Sequence, residues 1–299
     1  MRIVGKIPGT DDRCAVAIGF FDGVHRGHAA LLCETVRIAH EKHLIPAVFT
    51  FSAEEPYKNM PLLTTEAEKE RLLLSSGMET IFVVHFSEVA DLSPETFIRD
   101  ILHLSVFAEH AVIGTDFRFG KGAAGNAETL AASFPTTVVV PVTDGGVTVS
   151  STRIREAVAA GDTENVRAWL GRDFGFSGTV VHGKALGRTL GFPTLNTFLP
   201  DGLIAPRNGV YAATVTVEGT EYAAVSNIGI RPTVEDGHRM NCESHLLHTS
   251  GDFYGKNADI RLHHFIRPEK KFDSVEALAA QITEDKKEAF RWMSRSISN

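Results

Sequence analysis

The chain has 299 residues, too many for one ordinary hydrophobic core, and its length points to two domains. Its 43% hydrophobic and 22% charged residues are those of a soluble globular protein, and no apolar run approaches the roughly 18 residues a membrane span requires. With 30 Lys plus Arg against 37 Asp plus Glu the net charge is -7, which argues against a general binder of nucleic acid or anionic membrane and leaves room for a local basic pocket.

Strands and helices alternate through the first half. Short apolar runs predict strands over Cys14–Ile18, Ile45–Phe51, Ile81–His85, Ala111–Ile113 and Thr137–Val140, several of them unbroken as in parallel strands covered on both faces. Helical spacing predicts helices near His28–Lys42, Glu66–Ser75, Pro94–Leu104 and Ala127–Ser133, with Ser93-Pro94 as cap and first-turn proline. Such alternation implies right-handed crossovers, a parallel sheet, and ligands at the carboxyl ends of its strands. A helical stretch over Thr152–Leu170, interrupted near Gly161, closes this half. Gly171-Arg172-Asp173-Phe174-Gly175 then breaks the pattern, so the expected domains are 1–173 and 174–299. Beyond the break, Val210–Val217 and Tyr222–Ile228 flank Glu218-Gly219-Thr220 as a hairpin, and Glu243–Leu247 and Ala258–Phe265 read as further strands. An amphipathic helix follows over Ser274–Met293, and the order fits a small antiparallel β-barrel with a terminal helix. The opening Met1–Gly9 lacks the apolar core of a secretion signal, and Cys14, Cys33 and Cys242 form no Cys-x-x-Cys pair, so the cytoplasm is the expected compartment.

Gly19-Phe20-Phe21-Asp22-Gly23-Val24-His25-Arg26-Gly27-His28 joins the first strand to the first helix and puts two histidines where that helix begins. The free N–H groups and positive dipole end of a helix favour an anion there, usually a phosphate, and imidazoles add hydrogen bonds as charge shifts during transfer. A plain strand-to-helix loop with surface histidines is one alternative. A zinc site on His25 and His28 is another, against a helix end that repels cations and with no third ligand evident nearby. Ser150-Ser151-Thr152-Arg153-Ile154-Arg155 places hydroxyls and two arginines at another helix start, which suits a triphosphate unless the serine is only a cap and the arginines only solvated. Gly114-Thr115-Asp116-Phe117-Arg118-Phe119-Gly120-Lys121-Gly122 has five residues between its first two glycines and no Ser or Thr after Lys121, so it is not a P-loop. Its aromatics suit stacking on a flat ring or simple packing.

In the second half, Gly183, Gly187 and Gly191 would let backbone amides approach phosphate. Thr194 and Asn196 alternate on a strand-like segment, so both point to one face, where their oxygens suit Mg²⁺. The alternative is a glycine-rich hairpin with Thr and Asn as turn caps. Glu243 reads either as a base or as an exposed strand carboxylate, and His245 shares its face. The pair His263-His264 is assigned no role and is expected against solvent or the barrel wall.

Taken together, these motifs resemble a known family. Gly19–His28 is similar to the His-x-Gly-His signature of adenylyl- and cytidylyltransferases, and Ser151-Thr152-Arg153-Ile154-Arg155 to its companion motif. With Gly114–Gly120 between them, the chain resembles the bacterial bifunctional riboflavin kinase/FAD synthetase family. His182–Asn196, Gly209-Val210-Tyr211, Ser226–Thr233, Glu243–Leu247, Tyr254-Gly255 and Phe265-Ile266-Arg267 follow in that family's order. The resemblance implies an α/β fold: an N-terminal Rossmann-like nucleotidyltransferase (FMN adenylyltransferase) domain and a C-terminal riboflavin kinase barrel. It implies Gly19, Phe20, Asp22, His25, Gly27 and His28 around ATP, with Ser151, Thr152, Arg153 and Arg155 near its phosphates. It places Asp116, Phe117, Arg118 and Asn126 near nucleotide or flavin, Gly183, Lys184, Gly187, Thr194 and Asn196 at ATP, the co-substrate, and Thr194 and Asn196 on Mg²⁺. The implied catalytic residues are His25, His28, Arg155 and Glu243; the implied partners are riboflavin, FMN, FAD and ATP, with neither nucleic acid nor membrane, and self-association is left open. The chain departs from the family pattern at Ala123-Ala124-Gly125-Asn126, at Leu195 and at His248.

Chemistry separates the two implied sites. An alcohol such as the riboflavin ribityl hydroxyl is a poor nucleophile near neutral pH and needs a carboxylate base, for which Glu243 is the candidate. The phosphate of FMN has a second pKa of about 6 and arrives already charged. Its attack on ATP needs donors and cations instead, and His25, His28, Thr152, Arg153 and Arg155 are that kind of set. Two rival readings stay open on sequence: a kinase with only one live site, and a flavin-binding protein without turnover.

Overall fold

The structure, a computed structural model, describes residues 1–9, 11–53, 60–182, 194–233, 237–247 and 251–297. By its packing the chain divides into two compact units, Met1–Ser151 and Thr152–Asn299.

The first unit opens with β1 (Arg2–Gly5), β2 (Cys14–Ile18), α1 (Arg26–Lys42), β3 (Ile45–Phe51), α2 (Glu66–Ser75), β4 (Thr80–Val84), α3 (Pro94–Thr96) and β5 (Ala108–Gly114). It continues with β6 (Arg118–Phe119), β7 (Gly125–Asn126), α4 (Ala127–Ser133), β8 (Thr136–Val139) and the short pair β9 (Thr143–Asp144) and β10 (Val147–Thr148). Five strands run parallel in the order β4-β3-β2-β5-β8. β1 adds antiparallel to β4, so the sheet is mixed rather than wholly parallel. That edge strand carries only Ile3 and Val4 as half-buried apolar residues, too short a pattern to read as a strand. β2 and β4 are buried along their whole length, as an unbroken apolar run requires. The helix expected over Pro94–Leu104 starts as one α-turn capped by Ser93 and widens into π-turns over Phe97–Ser105.

From β2 the chain passes to β3 and β4 on one side and then to β5 on the other. The crevice beyond the carboxyl ends of β2 and β5 is therefore a topological switch point, where open α/β sheets bind ligands. The loops that follow these two strands are Gly19–His25 and Thr115–Phe117.

In the second unit α5 (Ser151–Ala160), which starts at the unit boundary, and α6 (Thr163–Leu170) are separated at Gly161, whose φ is +76. β11 (Phe174–Thr179), β12 (Thr194–Phe198), β13 (Gly209–Val217), β14 (Thr220–Thr233), β15 (Gly237–Leu246), β16 (Asn257–Arg267) and α7 (Val275–Ile297) follow. The six strands form one antiparallel sheet in the order β11-β16-β13-β14-β15-β12. The expected closed barrel is instead an open, curled half-barrel. All of β11 is paired with β16; its end lies close to β12, with Phe198 O 3.0 Å from the Cβ position of Gly178, without pairing with it. The edges thus meet, among the described residues, at one bridge, Val181 N to Asn196 O at 2.8 Å. The inner face is filled by alternate residues such as Phe174, Phe176, Tyr211, Val215, Ile260 and Leu262, all buried. On the outer face Val210, Ala212 and Val225 pack against Ala289 and Met293 of α7.

Two candidate active sites

The first site grows from the end of β2. The turn after it is strained: Phe21 and Val24 have φ of +54 and +37, a region that bulky and β-branched residues avoid. Such backbone persists only where its surroundings over-determine it, and here they do. Thr50 Oγ1 donates to Phe20 O at 3.0 Å, Gly23 N donates to Thr64 Oγ1 at 3.2 Å, and Ser151 Oγ donates to Asp22 O at 3.0 Å. The buried Asp22 carboxylate accepts Leu63 N at 2.8 Å and Thr64 N at 3.4 Å, which ties the loop to the residues leading into α2. Asp22 and Ser151, expected at ATP, are therefore placed as anchors of the histidine loop.

His25 caps α1 with extended backbone, and its Nδ1 accepts from His28 N at 3.3 Å, which leaves the proton of the neutral ring on Nε2. The His25 and His28 rings stack with centroids 3.7 Å apart and 14° between planes, and Phe21 lies 5.1 Å from His28. Burial first, then the neighbouring His25 and Lys69, hold His28 well below the usual imidazole range. The pair thus presents a neutral His28, whose Nδ1 is buried with no partner among the described residues. Gly27 makes room for this arrangement, since a Cβ there would lie 3.0 Å from His25 Cε1.

Lys69 of α2 is a residue the sequence pattern does not single out, because a charge on an amphipathic helix reads as solvated. It is buried, donates to Phe51 O at 2.7 Å and lies 5.2 Å from the Phe20 ring centroid; burial lowers its pKa. A cation is therefore held at the carboxyl end of β3, beside the loop.

In the loop after β5, Phe117 stacks on Phe119 with centroids 5.5 Å apart, while Asp116 and Arg118 are exposed. β6 and β7 pair Arg118 with Asn126, and Asn126 Oδ1 accepts Thr129 N at 2.9 Å as the cap of α4. An open hollow of about 390 Å³ is lined by Thr115, Arg118, Asn126 and Val138. Thr152 and Arg153 are exposed on the first turn of α5, and Arg155 is buried one turn on.

The second site lies on the outer face of the curled sheet. The register of β12 on β15 sets Thr194 opposite His245 and Asn196 opposite Glu243, so both oxygen donors share a face with the carboxylate. Glu243 is half-buried and accepts Asn241 Nδ2 at 3.1 Å. The Oδ1 atoms of Asn196 and Asn241 are buried and have no partner among the described residues. A cavity of about 360 Å³ opens there, lined by Thr194, Asn227, Glu243, Arg267, Phe272 and α7 residues including Asp285. Arg267 makes a two-pronged pair with the buried Asp285, Nε to Oδ1 at 2.8 Å and Nη2 to Oδ2 at 2.7 Å, which fixes α7 as one wall. Glu269 accepts Asn227 Nδ2 at 3.3 Å and occupies the space where a side chain at Gly229 would be, 2.4 Å from its Cβ position. Gly183, Lys184 and Gly187, expected at ATP, lie outside the described residues.

His263 is not merely a wall or solvent residue. Its Nδ1 lies 2.8 Å from Asp173 Oδ2 and its Nε2 3.0 Å from Thr214 Oγ1, with Trp292 of α7 stacked on it at 5.5 Å. It points outward by alternation with Leu262, and the break in the β13–β16 register leaves it with no opposite residue on β13.

Comparison with known proteins agrees with both halves of this description. A family model described as FAD synthetase matches residues 7–153, and one described as riboflavin kinase matches residues 170–293. The bifunctional riboflavin kinase/FMN adenylyltransferase of Listeria monocytogenes is 34% identical, over 93% of this chain and 92% of its own. The protein of the same name from Escherichia coli (strain K12) is 38% identical, over 91% of this chain and 90% of its own. A crystal structure described as a macrolide-efflux protein from Streptococcus pneumoniae has a TM-score of 0.88 at 33% identity, covering 95% of this chain and 96% of that one. Among the described residues no helix is long and apolar enough to cross a membrane.

Proposed function

The chain belongs to the bifunctional riboflavin kinase/FMN adenylyltransferase family, and we propose that it divides its two reactions between the histidine loop of residues 1–173 and the carboxylate pocket of residues 174–299. It is an enzyme that phosphorylates riboflavin to FMN and adenylylates FMN to FAD. ATP is the proposed donor in both steps, with the cytoplasm as the proposed site of action.

In the kinase step Glu243 accepts the proton of the ribityl hydroxyl as that oxygen attacks the γ-phosphorus of ATP and ADP leaves. The observation that carries this reading is the strand register that puts Asn196 and Thr194 on one face with Glu243. The site fits Mg²⁺: its donors are amide and hydroxyl oxygens, and the buried Asn196 Oδ1 has no partner among the described residues. No group of three acidic, His or Cys side chains that could hold a metal occurs among the described residues, so Thr194 and Asn196 would hold the ion together with the phosphates of ATP. When bound, Mg²⁺ supplies neutralisation of the transferring phosphoryl group.

In the adenylyl step the FMN phosphate attacks the α-phosphorus of ATP and pyrophosphate leaves. No base is required, and stabilisation falls to hydrogen-bond donors and cations. His25 and His28 supply imidazole donors at a helix start. Thr152, Arg153 and Arg155 are assigned to phosphate on the resemblance of their motif, and Asp116, Phe117, Arg118 and Asn126 to flavin or nucleotide on the same ground.

Product analysis with separated flavins tests the division. Glu243→Gln is expected to abolish FMN formation and leave FAD formation from supplied FMN, and His28→Ala to do the reverse. A folded variant of either kind that loses both activities would contradict the separate sites.

A further inference from the structure

We propose that Asn241 is the positioning residue for Glu243: its amide holds one carboxylate oxygen so that the other is presented to the riboflavin hydroxyl. The inference rests on the reading of Glu243 as the kinase base. Asn241, Glu243 and His245 alternate on one face of β15. Asn241 is only 5% exposed and donates Nδ2 to Glu243 Oε1 at 3.1 Å, while its own Oδ1 is buried with no partner among the described residues. A buried carbonyl oxygen left unpaired is costly, so the side chain is poorly explained as a stabilising element. Its cross-strand neighbours are Phe198 and Gly229, neither with a polar side chain, and the Glu269 carboxylate that fills the space at Gly229 accepts from Asn227 Nδ2 at 3.3 Å.

The other two amides beside Glu243 do not share the task. Asn227, opposite on β14, gives Nδ2 to Glu269 Oε1 at 3.3 Å. Asn196, opposite on β12, has a buried Oδ1 with no partner among the described residues, an acceptor suited to a cation and repelled by a carboxylate. The amide orientation at Asn241 follows from charge, because turning Oδ1 toward Glu243 would set two acceptors together. A carboxylate held by one oxygen keeps its second on a fixed line, and a general base is effective only when its geometry is set.

The experiment is steady-state and single-turnover riboflavin phosphorylation by the full chain with Mg²⁺ and ATP. It compares Asn241→Leu, Asn241→Asp, Glu243→Gln and the double variant Asn241→Leu/Glu243→Gln. FAD formation from FMN reports folding in each. Asn241→Leu is expected to lower kcat about tenfold with KM for riboflavin and ATP within about twofold. Asn241→Asp, which exchanges the donor for a like charge, is expected to lower kcat further, and it carries the test if the Leu variant fails to fold. Asn241→Leu should not lower further the residual single-turnover rate of Glu243→Gln, because it acts through that carboxylate. Wild-type kcat in Asn241→Leu, or an equal fall in both backgrounds, would overturn the proposal. So would an effect confined to KM for ATP, which assigns Oδ1 to the metal–nucleotide instead. Retained kinase activity in Glu243→Gln would remove the base reading itself, a result distinct from an inert Asn241 beside an essential Glu243.

Discussion

Gly27→Ala is the most discriminating single change at the histidine loop. An added Cβ would lie 3.0 Å from His25 Cε1 and 3.1 Å from Nδ1, against an ordinary carbon contact of about 3.5–4.0 Å. The ring must yield by about half an ångström to restore that contact. It has little room to do so, because it is stacked on His28 at 3.7 Å and its Nδ1 accepts His28 N at 3.3 Å, already a long bond. Stability should barely change: alanine favours the helix by about 1 kcal/mol, and a weakened N-cap costs about the same. Activity should not be spared, since a misplacement of about 1 Å can cost about a hundredfold and half of that about tenfold. The expected result is FAD formation from FMN slowed about tenfold, with the thermal midpoint within a few degrees of the parent and riboflavin phosphorylation intact. Full adenylyl transfer by folded Gly27→Ala would refute the argument that the stacked pair is held in a working geometry.

Gly229→Ala should collide with Glu269, whose Oε1 lies 2.4 Å from the Cβ position, and slow riboflavin phosphorylation while FAD formation from FMN persists; an unchanged kinase would show that Glu269 does not shape the pocket. Arg267→Ala leaves the buried Asp285 carboxylate with Gln281 Nε2, 3.0 Å away, as its remaining donor among the described residues and should cost about 3 kcal/mol in urea unfolding, more than the paired change Arg267→Met/Asp285→Leu, which removes both charges. His28 has a folded pKa well below its usual 6.5, so the unfolded chain binds the proton first. Its contribution is present above 6.5 and lost as pH falls from there toward the folded value. His110 is shifted in the same direction, chiefly by burial. The thermal midpoint should therefore drop on acidification below about pH 6.5, and His28→Asn should make the drop shallower but not abolish it; an unaltered slope would count against a buried neutral His28.

The strands that were legible are those whose burial is uniform. Cys14–Ile18 and Ile45–Phe51 appear at the expected limits because parallel strands covered on both faces need unbroken apolar runs. β1 and the two-residue pairs β6–β7 and β9–β10 are too short to carry a period. Thr194, Asn196 and Glu243 could be placed on faces by alternation, but nothing in their spacing shows that β12 pairs β15 in the register that joins them. Asn241 and Lys69 were illegible for a related reason. One is an amide two residues before the carboxylate, the other a lysine on a charged helix, and only burial with a named acceptor gives either a meaning.

The openness of the second sheet has a consequence for where its chemistry can occur. Among the described residues the inner face is filled by packed side chains, with Tyr211 at 1% exposure and Val215 and Ile260 at 0%. Alternation then forces Thr194, Asn196, Glu243 and Asn227 outward, onto a face that by itself is solvated. A general base and a metal–nucleotide site gain strength from a wall that excludes water. α7 supplies that wall: Leu278 and Ile282 line the cavity, and Asp285 is pinned by Arg267 from the end of β16. Farther along the same helix, Trp292 rests on His263, which is itself held between Asp173 and Thr214. The terminal helix is thus fixed at two points on one face of the sheet, and a carboxylate that the strand order would leave to solvent becomes part of an enclosed site.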